Sequence, residues 1–243
     1  VTAIQVKAIK NTCIALLTSS QRTLYEVHIW SHLQHENIIP LLGITTNFNH
    51  TVSMVTEWME GGNAHEYVQD EAVDPGPLVL PQLLDIARGL HYLHSLHIAH
   101  GDMKGPNVLI SEARRALITD FGSSCLTNPP PSLQVDPSCG VSLRWLAPER
   151  LNTPTPTSTQ EADVWAFGMT VLELFSRKNP FHEVRVEWGV VKRIVEGHLP
   201  DRPSDESTSF RLCDSWWKIC LECWEYDPVQ RPAMNDIMAR VER

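Results

Sequence analysis

Residues 100–110 read His-Gly-Asp-Met-Lys-Gly-Pro-Asn-Val-Leu-Ile, and residues 120–122 read Asp-Phe-Gly. The Val-Leu-Ile that ends the first stretch and the Ala-Leu-Ile at residues 116–118 are separated by polar turn residues, which predicts a buried β-hairpin. Such a hairpin returns Asn107 at its start and Asp120 at its end to the same edge. Mg²⁺ binds through a few protein oxygens together with phosphates. We therefore predict Asn107 and Asp120 as metal ligands.

The two stretches resemble the catalytic loop and the metal loop of the eukaryotic protein kinase family. Their His-Gly-Asp-x-Lys-Gly-x-Asn variant is similar to the tyrosine-kinase-like group, which mostly phosphorylates Ser and Thr. The resemblance covers nearly the whole chain. It implies an α+β two-lobe kinase fold, with a small β-rich N-lobe at residues 1–59 and a larger α-helical C-lobe at residues 60–243. It also implies transfer of the γ-phosphate of ATP to Ser or Thr hydroxyls of protein substrates, with Mg²⁺ as cofactor.

The composition is that of a soluble globular protein. The chain has 243 residues, of which 42% are hydrophobic and 20% charged. Its net charge of −9 argues against a general nucleic-acid binder. We see no apolar run long enough for a membrane span, no signal-peptide pattern and no indication of oligomeric state. The six cysteines do not form a small secreted disulfide framework, so we expect reduced thiols and a cytoplasmic or nuclear location.

Hydrophobic periodicity predicts a β-rich first quarter followed by a mostly helical remainder. Strands are predicted at residues 4–10, 38–46 and 51–58. Helices are predicted at residues 22–33, 80–96, 164–175, 190–195 and 216–224.

Asp102 is the predicted catalytic base. Phosphoryl transfer needs a group that orients the acceptor hydroxyl and takes its proton, and a carboxylate beside the in-line path does both. An isolated loop Asp more often caps its own backbone, but its place among the matching motifs favours catalysis. Lys104 is expected to offset charge that develops on the γ-phosphate. A lysine at this position resembles Ser/Thr kinases. Ser142 resembles the Ser or Thr that contacts the catalytic Asp in the family. Both resemblances favour Ser/Thr substrates.

Lys7 resembles the strand lysine that holds the α- and β-phosphates of ATP. Lys10 is the rival candidate, but Asn-Thr-Cys follows it and indicates the start of a loop. Glu26, on the first predicted helix, resembles the glutamate that pairs with the strand lysine. The alternative for Glu26 is an exposed helical charge pair worth a few tenths of a kcal/mol.

Residues 56–59, Thr-Glu-Trp-Met, resemble the hinge that meets adenine. The resemblance implies that Thr56 is the gatekeeper and that backbone groups of Glu57 and Met59 face the base. It also assigns Leu109 to cofactor binding. Gln5 stands where the family usually has a small Ala, so we expect a more crowded adenine pocket.

Other landmarks are implied to be structural. Glu149, in Ala-Pro-Glu, resembles the residue that pairs with Arg231, and Asp163 resembles the helix Asp that steadies the catalytic loop. An apolar spine that links the lobes is implied for Trp30, Leu41, His100 and Phe121.

Besides Gln5, the chain departs from the family pattern at two places. It contains no Gly-x-Gly-x-x-Gly, because it opens at Val1 in mid-pattern, and we expect a fragment or trimmed domain with weak ATP binding. Gly101 replaces the Arg that usually pairs with a phosphorylated activation loop. We therefore expect no activation through that contact.

Two other functions stay open. A pseudokinase or scaffold keeps the fold for partner binding; the missing Gly-rich loop favours this alternative, and the retained Lys7, Asp102, Asn107 and Asp120 oppose it. A small-molecule kinase with a related core is opposed by the Ala-Pro-Glu motif and Arg231.

Overall fold

The computed structural model describes residues 4–8, 16–47, 52–70, 75–126, 142–151 and 158–242. For residues 4–8, 16–22 and 75–79 the description is confined to the backbone.

The N-terminal part is a small antiparallel sheet with one long helix. Strands β1 (Ile4–Ala8), β2 (Gly43–Thr45) and β3 (Ser53–Glu57) lie in the order β1-β3-β2. Helix α1 (Leu16–Ser31) follows β1. The predicted strand and helix are therefore present, although α1 begins six residues before the predicted residue 22.

The predicted strand over residues 38–46 is wrong for its first half. Only Gly43–Thr45 joins the sheet. Pro40 has no backbone N–H to donate, which interrupts strand pairing. Ile38 instead bridges to Ile118, and the N–H of Ile39 donates to the Ile118 carbonyl at 3.0 Å. Residues 38 and 39 thus connect the N-terminal part of the chain to the predicted hairpin at residues 108–118.

The predicted hairpin is confirmed. β5 (Val108–Ile110) pairs antiparallel with β6 (Ala116–Ile118), and its core-facing side chains are fully buried. The N–H of Thr119 donates to the Asn107 carbonyl at 3.0 Å, so the two ends of the hairpin do return to one edge. A second short antiparallel pair flanks the hairpin in sequence: β4 (Ile98–Ala99) precedes it and β7 (Cys125–Leu126) follows it.

Helices dominate the rest of the described chain. They are α2 (Ala64–Gln69), α3 (Pro75–Ser95), α4 (Pro148–Leu151), α5 (Gln160–Ser176), α6 (Glu187–Val195), α7 (Asp214–Cys223) and α8 (Met234–Val241). Four of these overlap the predicted helices. α3 starts five residues before the predicted residue 80, because prolines fit the first turn, where N–H groups have no helical partner.

Helix α5 forms the centre of the helical part. Every residue from 162 to 175 is buried. A helix that is apolar on all sides is expected to be enclosed by other elements, and α5 contacts α2, α3 and α7. Asp163 and Glu173 are the two acidic residues within this buried stretch.

Together these elements confirm the predicted two-lobe α+β fold, with its β-rich N-terminal part and helical C-terminal part. No helix in the described part of the chain is long and apolar enough to cross a membrane.

The predicted pair between Glu149 and Arg231 is confirmed and ties α4 to the chain before α8. Both terminal nitrogens of Arg231 donate to the Glu149 carboxylate, at 2.7 and 2.8 Å. The Arg231 side chain is fully buried, also donates to the Glu161 and Glu225 carbonyls, and lies 5.1 Å from the Trp165 ring centroid.

Replacing Arg231 with Met should lower the free energy of unfolding by about 3–5 kcal/mol, because it leaves buried acceptors unpaired. Urea titration monitored by tryptophan fluorescence measures this change. The control is Arg88→Met, which removes an exposed partner of Glu242 and should cost at most about 1 kcal/mol. Equal losses in the two variants would contradict a structural role for the buried pair.

Candidate active site

The catalytic loop, defined here as residues 100–107, is attached to α5 through Asp163. One carboxylate oxygen accepts the N–H of His100 at 2.7 Å, and the other accepts the N–H of Gly101 at 2.8 Å. The ring of His94 lies 3.0 Å from the same carboxylate. The sequence-based expectation that Asp163 steadies this loop is therefore confirmed.

The electrostatics favour an ionised Asp163. Burial raises the pKa of this carboxyl, but the hydrogen bond from His94, the electrostatic interactions with His94 and His100, and the Gly101 N–H outweigh burial and lower it. A buried charge persists where such donors replace water.

Glu173 attaches the other end of the catalytic loop to α5. Its carboxylate is fully buried and accepts the Gly105 N–H at 2.9 Å and the Trp145 indole N–H at 3.0 Å. The Nδ1 atom of His65, on α2, lies 2.7 Å away. This one side chain therefore joins α2, the catalytic loop and the 3₁₀ turn Leu143–Trp145.

Asp102 lies at the centre of a compact polar cluster. Lys104 Nζ is 2.7 Å from one carboxylate oxygen, and Asn107 Nδ2 donates to the same oxygen at 3.0 Å. The N–H of Ser142 donates to the other oxygen at 3.2 Å, and Lys104 Nζ also reaches the Ser142 hydroxyl at 2.5 Å. The structure thus brings together the two predicted catalytic residues, one predicted metal ligand and Ser142.

The two predicted metal ligands offer an amide oxygen and a carboxylate, which are donors of the kind that Mg²⁺ accepts, and their binding of the ion stays a prediction. The amide nitrogen of Asn107 faces Asp102, which leaves the amide oxygen on the other side of the planar group. Asp120, in a left-handed conformation with φ 68°, follows the residue that pairs with the Asn107 backbone. Among the described residues, no three His, Cys, Asp or Glu side chains lie close enough together to hold a metal ion. Two protein oxygens completed by phosphate oxygens and water is a set that Mg²⁺ accepts.

Phe121 is held between the lobes. Its ring centroid lies 5.4 Å from that of Trp30 on α1 and 5.6 Å from that of His100. The predicted spine is therefore continuous over these three residues, while Leu41 is half-buried and packs against the same core.

The predicted partner of Lys7, Glu26, is buried, and its Oε2 lies 3.3 Å from where a Cβ would stand on Gly122. Glu26 is thus close to the Asp-Phe-Gly turn.

Two of the nucleotide-binding predictions fall on β1. Lys7 lies opposite Met54 and Gln5 lies opposite Thr56 in the β1–β3 register. The side chains of β1 lie outside the described residues, so the Lys7–Glu26 pair and the crowding by Gln5 stay predictions. Lys10 also lies outside the described residues.

The predicted hinge comprises the last two residues of β3 and the two residues after it. Thr56 is buried and its hydroxyl donates to the Glu57 carbonyl at 3.2 Å, while Glu57 is exposed and Met59 is buried. Leu109 lies on the face of the hairpin opposite the buried Val108 and Ile110 and bridges to Asn63, just after the hinge. Leu109 is therefore placed next to the chain that leaves the hinge.

The family model described as protein tyrosine and serine/threonine kinase matches residues 1–241. The chain belongs to this protein kinase family.

The chain is similar to two curated kinases and to a curated receptor. The chain is 32% identical, over 89% of its length, to the probable serine/threonine-protein kinase pats1 of Dictyostelium discoideum. It is 26% identical, over 98% of its length, to the dual specificity protein kinase pyk3 of the same organism. It is 30% identical, over 98% of its length, to the high affinity nerve growth factor receptor of Rattus norvegicus. The chain spans 7%, 17% and 30% of these relatives, respectively.

Three residues that support the site of this kinase domain were not predicted from the sequence. Glu173 is an acid within the apolar run of α5, and that isolated charge was the available signal. Its partner His65 lies 108 residues away, so no local pattern links the two. Arg150 donates to the Gly101 carbonyl at 2.7 Å, and nothing in the sequence indicated a contact with the catalytic loop.

The contribution of His65 to stability should decrease as the pH rises. The hydrogen bond to Glu173 raises the pKa of His65, and this effect outweighs burial. The imidazolium contribution is complete below the unfolded pKa of about 6.5 and is lost as the pH rises through the higher folded value. The free energy of unfolding lost in His65→Gln should therefore be larger at a pH of about 5.5 than at about 8.5.

Urea titrations across this range measure the difference between the two proteins. In a Glu173→Gln background the same His65 replacement should lose most of its pH dependence. A loss that grows with pH would contradict the charge-assisted contact.

Proposed function

We propose that this kinase domain transfers the γ-phosphate of ATP to Ser or Thr hydroxyls of protein substrates. The cluster around the Asp102 carboxylate carries the proposal. Lys104 and Asn107 contact one of its oxygens and Ser142 the other, so the carboxylate has a fixed orientation. A base held in one orientation directs an acceptor hydroxyl and takes its proton during transfer.

Lys104 and Ser142 flank the proposed base. Lys104 Nζ contacts both Asp102 and the Ser142 hydroxyl, so its charge is kept where the transferred phosphoryl group would pass. Asn107 and Asp120 would hold Mg²⁺, which when bound neutralises charge on the phosphate oxygens. Asn107 simultaneously fixes Asp102, so one side chain orients both the proposed base and the proposed metal.

In this proposal ATP binds between β3 and the hairpin. The backbone groups of Glu57 and Met59 would meet adenine, with Thr56 behind it and Leu109 on the hairpin side. Lys7, anchored by Glu26, would hold the α- and β-phosphates. The burial of Thr56 and the position of Leu109 beside the chain after the hinge support this arrangement.

Asp102→Asn should reduce Mg²⁺-dependent transfer of labelled γ-phosphate to a generic protein substrate by roughly 10²–10⁴-fold, because the amide cannot accept the hydroxyl proton. The substitution is nearly isosteric, so the fold should be kept, as near-ultraviolet circular dichroism can check.

The matched control is Asp201→Asn, an exposed carboxylate distant in sequence from the loop. Transfer that survives Asp102→Asn would contradict the role of Asp102. A folded wild-type protein with no transfer at all would favour the scaffold alternative.

The proposed preference for Ser or Thr hydroxyls is tested by comparing acceptor residues. The N–H of Ser142, the residue before the turn Leu143–Trp145, lies 3.2 Å from Asp102. A substrate peptide alongside Ser142 would have its backbone near Asp102, so that only a short acceptor side chain would fit between them. Peptides that differ only in carrying Ser, Thr or Tyr as acceptor should therefore give faster transfer to Ser and Thr. Faster transfer to Tyr would overturn the assignment of substrate class.

A further inference from the structure

Gly101, the residue before the proposed base, has a backbone conformation and surroundings that exclude a side chain. Its φ is +82°, in the left-handed region that favours glycine. A Cβ at this position would lie 2.4 Å from the Ser123 carbonyl oxygen and 2.5 Å from the Ser158 hydroxyl oxygen. Position 101 therefore cannot accommodate a side chain that would hold the catalytic loop.

Two buried charged side chains hold Gly101 by its backbone instead. Its N–H donates to Asp163 at 2.8 Å, and its carbonyl accepts a hydrogen bond from Arg150 Nη1 at 2.7 Å. Asp163 and Arg150 are 1% and 6% exposed, so both contacts are shielded from water. The carbonyl that Arg150 binds belongs to the peptide bond that leads into Asp102.

Arg150 is itself anchored and surrounded by negative charge. It lies on α4, and the preceding residue, Glu149, is fixed by the pair of hydrogen bonds to Arg231. Burial lowers the pKa of Arg150, and the carboxylates of Asp163, Asp102 and Glu149 act against this effect by attracting its guanidinium. The planar guanidinium is suited to a carbonyl at a fixed position in a way that a flexible ammonium is not.

We propose that Arg150 is a positioning residue for Asp102. Its guanidinium, delivered from α4, fixes the Gly101–Asp102 peptide and so performs for the loop what a side chain at position 101 cannot. This inference rests on the proposed function, since it takes Asp102 as the base. Its structural half, that Arg150 orders the catalytic loop, can be measured without any transfer reaction.

The experiment compares the wild-type chain with Arg150→Met and Arg150→Lys. Steady-state kinetics are measured together with amide hydrogen exchange of the peptide that contains residues 100–105. Arg115→Met is the matched control, because Arg115 also binds a buried carboxylate, that of Asp85, through two nitrogens but lies in the hairpin turn, outside the catalytic loop.

Arg150→Met should lower kcat by roughly 10²-fold while the KM for ATP stays nearly unchanged, because a base displaced by about 1 Å loses this much. Exchange in residues 100–105 should become faster, with no change in α3. Arg150→Lys, which keeps the charge and is the safer variant for folding, should show smaller changes of both kinds. Arg115→Met should change neither readout.

Unchanged exchange in residues 100–105 of a folded Arg150→Met protein would overturn the proposal, whatever its activity. A rise in the KM for ATP with kcat preserved would also overturn it, because the residue would then act on nucleotide binding. If the wild-type protein transfers no phosphate while the exchange responds to Arg150, the proposed function fails and the ordering of the loop by Arg150 stands.

Discussion

The catalytic loop depends on two carboxylates that α5 carries into the core. Every residue of this helix from 162 to 175 is buried, so Asp163 and Glu173 must find donors within the protein. They find them in the backbone N–H groups of the loop, at its start for Asp163 and at Gly105 for Glu173. Ten helical residues rise about 15 Å, so the two attachments are well separated along the axis and the loop cannot pivot about either one.

The rest of the site follows from that attachment. Once the loop is fixed at both ends, Asp102 lies between Lys104, Asn107 and Ser142. The hairpin returns the chain so that Thr119, the residue before Asp120, pairs with the Asn107 backbone. Few of these contacts involve flexible surface groups. The order of the site is therefore a consequence of core packing, and its chemistry is added by a few polar residues on the loop.

Sequence predicted the parts of this arrangement that are local. The hairpin and the longer helices were predictable because apolar periodicity specifies them. The role of Asp163 was available only through the resemblance to the kinase family, since the loop N–H groups that it accepts lie more than 60 residues away in sequence. Glu173 was not, since its donors come from residues 65, 105 and 145, and no periodic pattern connects them. The strand over residues 38–46 was overextended because β-rich composition outweighed the single Pro40 in the prediction, whereas one missing N–H decides the pairing.

Helix α4 has an influence out of proportion to its four residues. Glu149 pairs with Arg231 before α8, and Arg150, the next residue, binds the Gly101 carbonyl. Neighbouring side chains thus connect the C-terminal helices to the peptide before Asp102. Because both contacts are charge-assisted and largely buried, a shift of α4 would weaken both at once. The position of Asp102 is therefore set by distant helical packing as much as by the loop's own sequence.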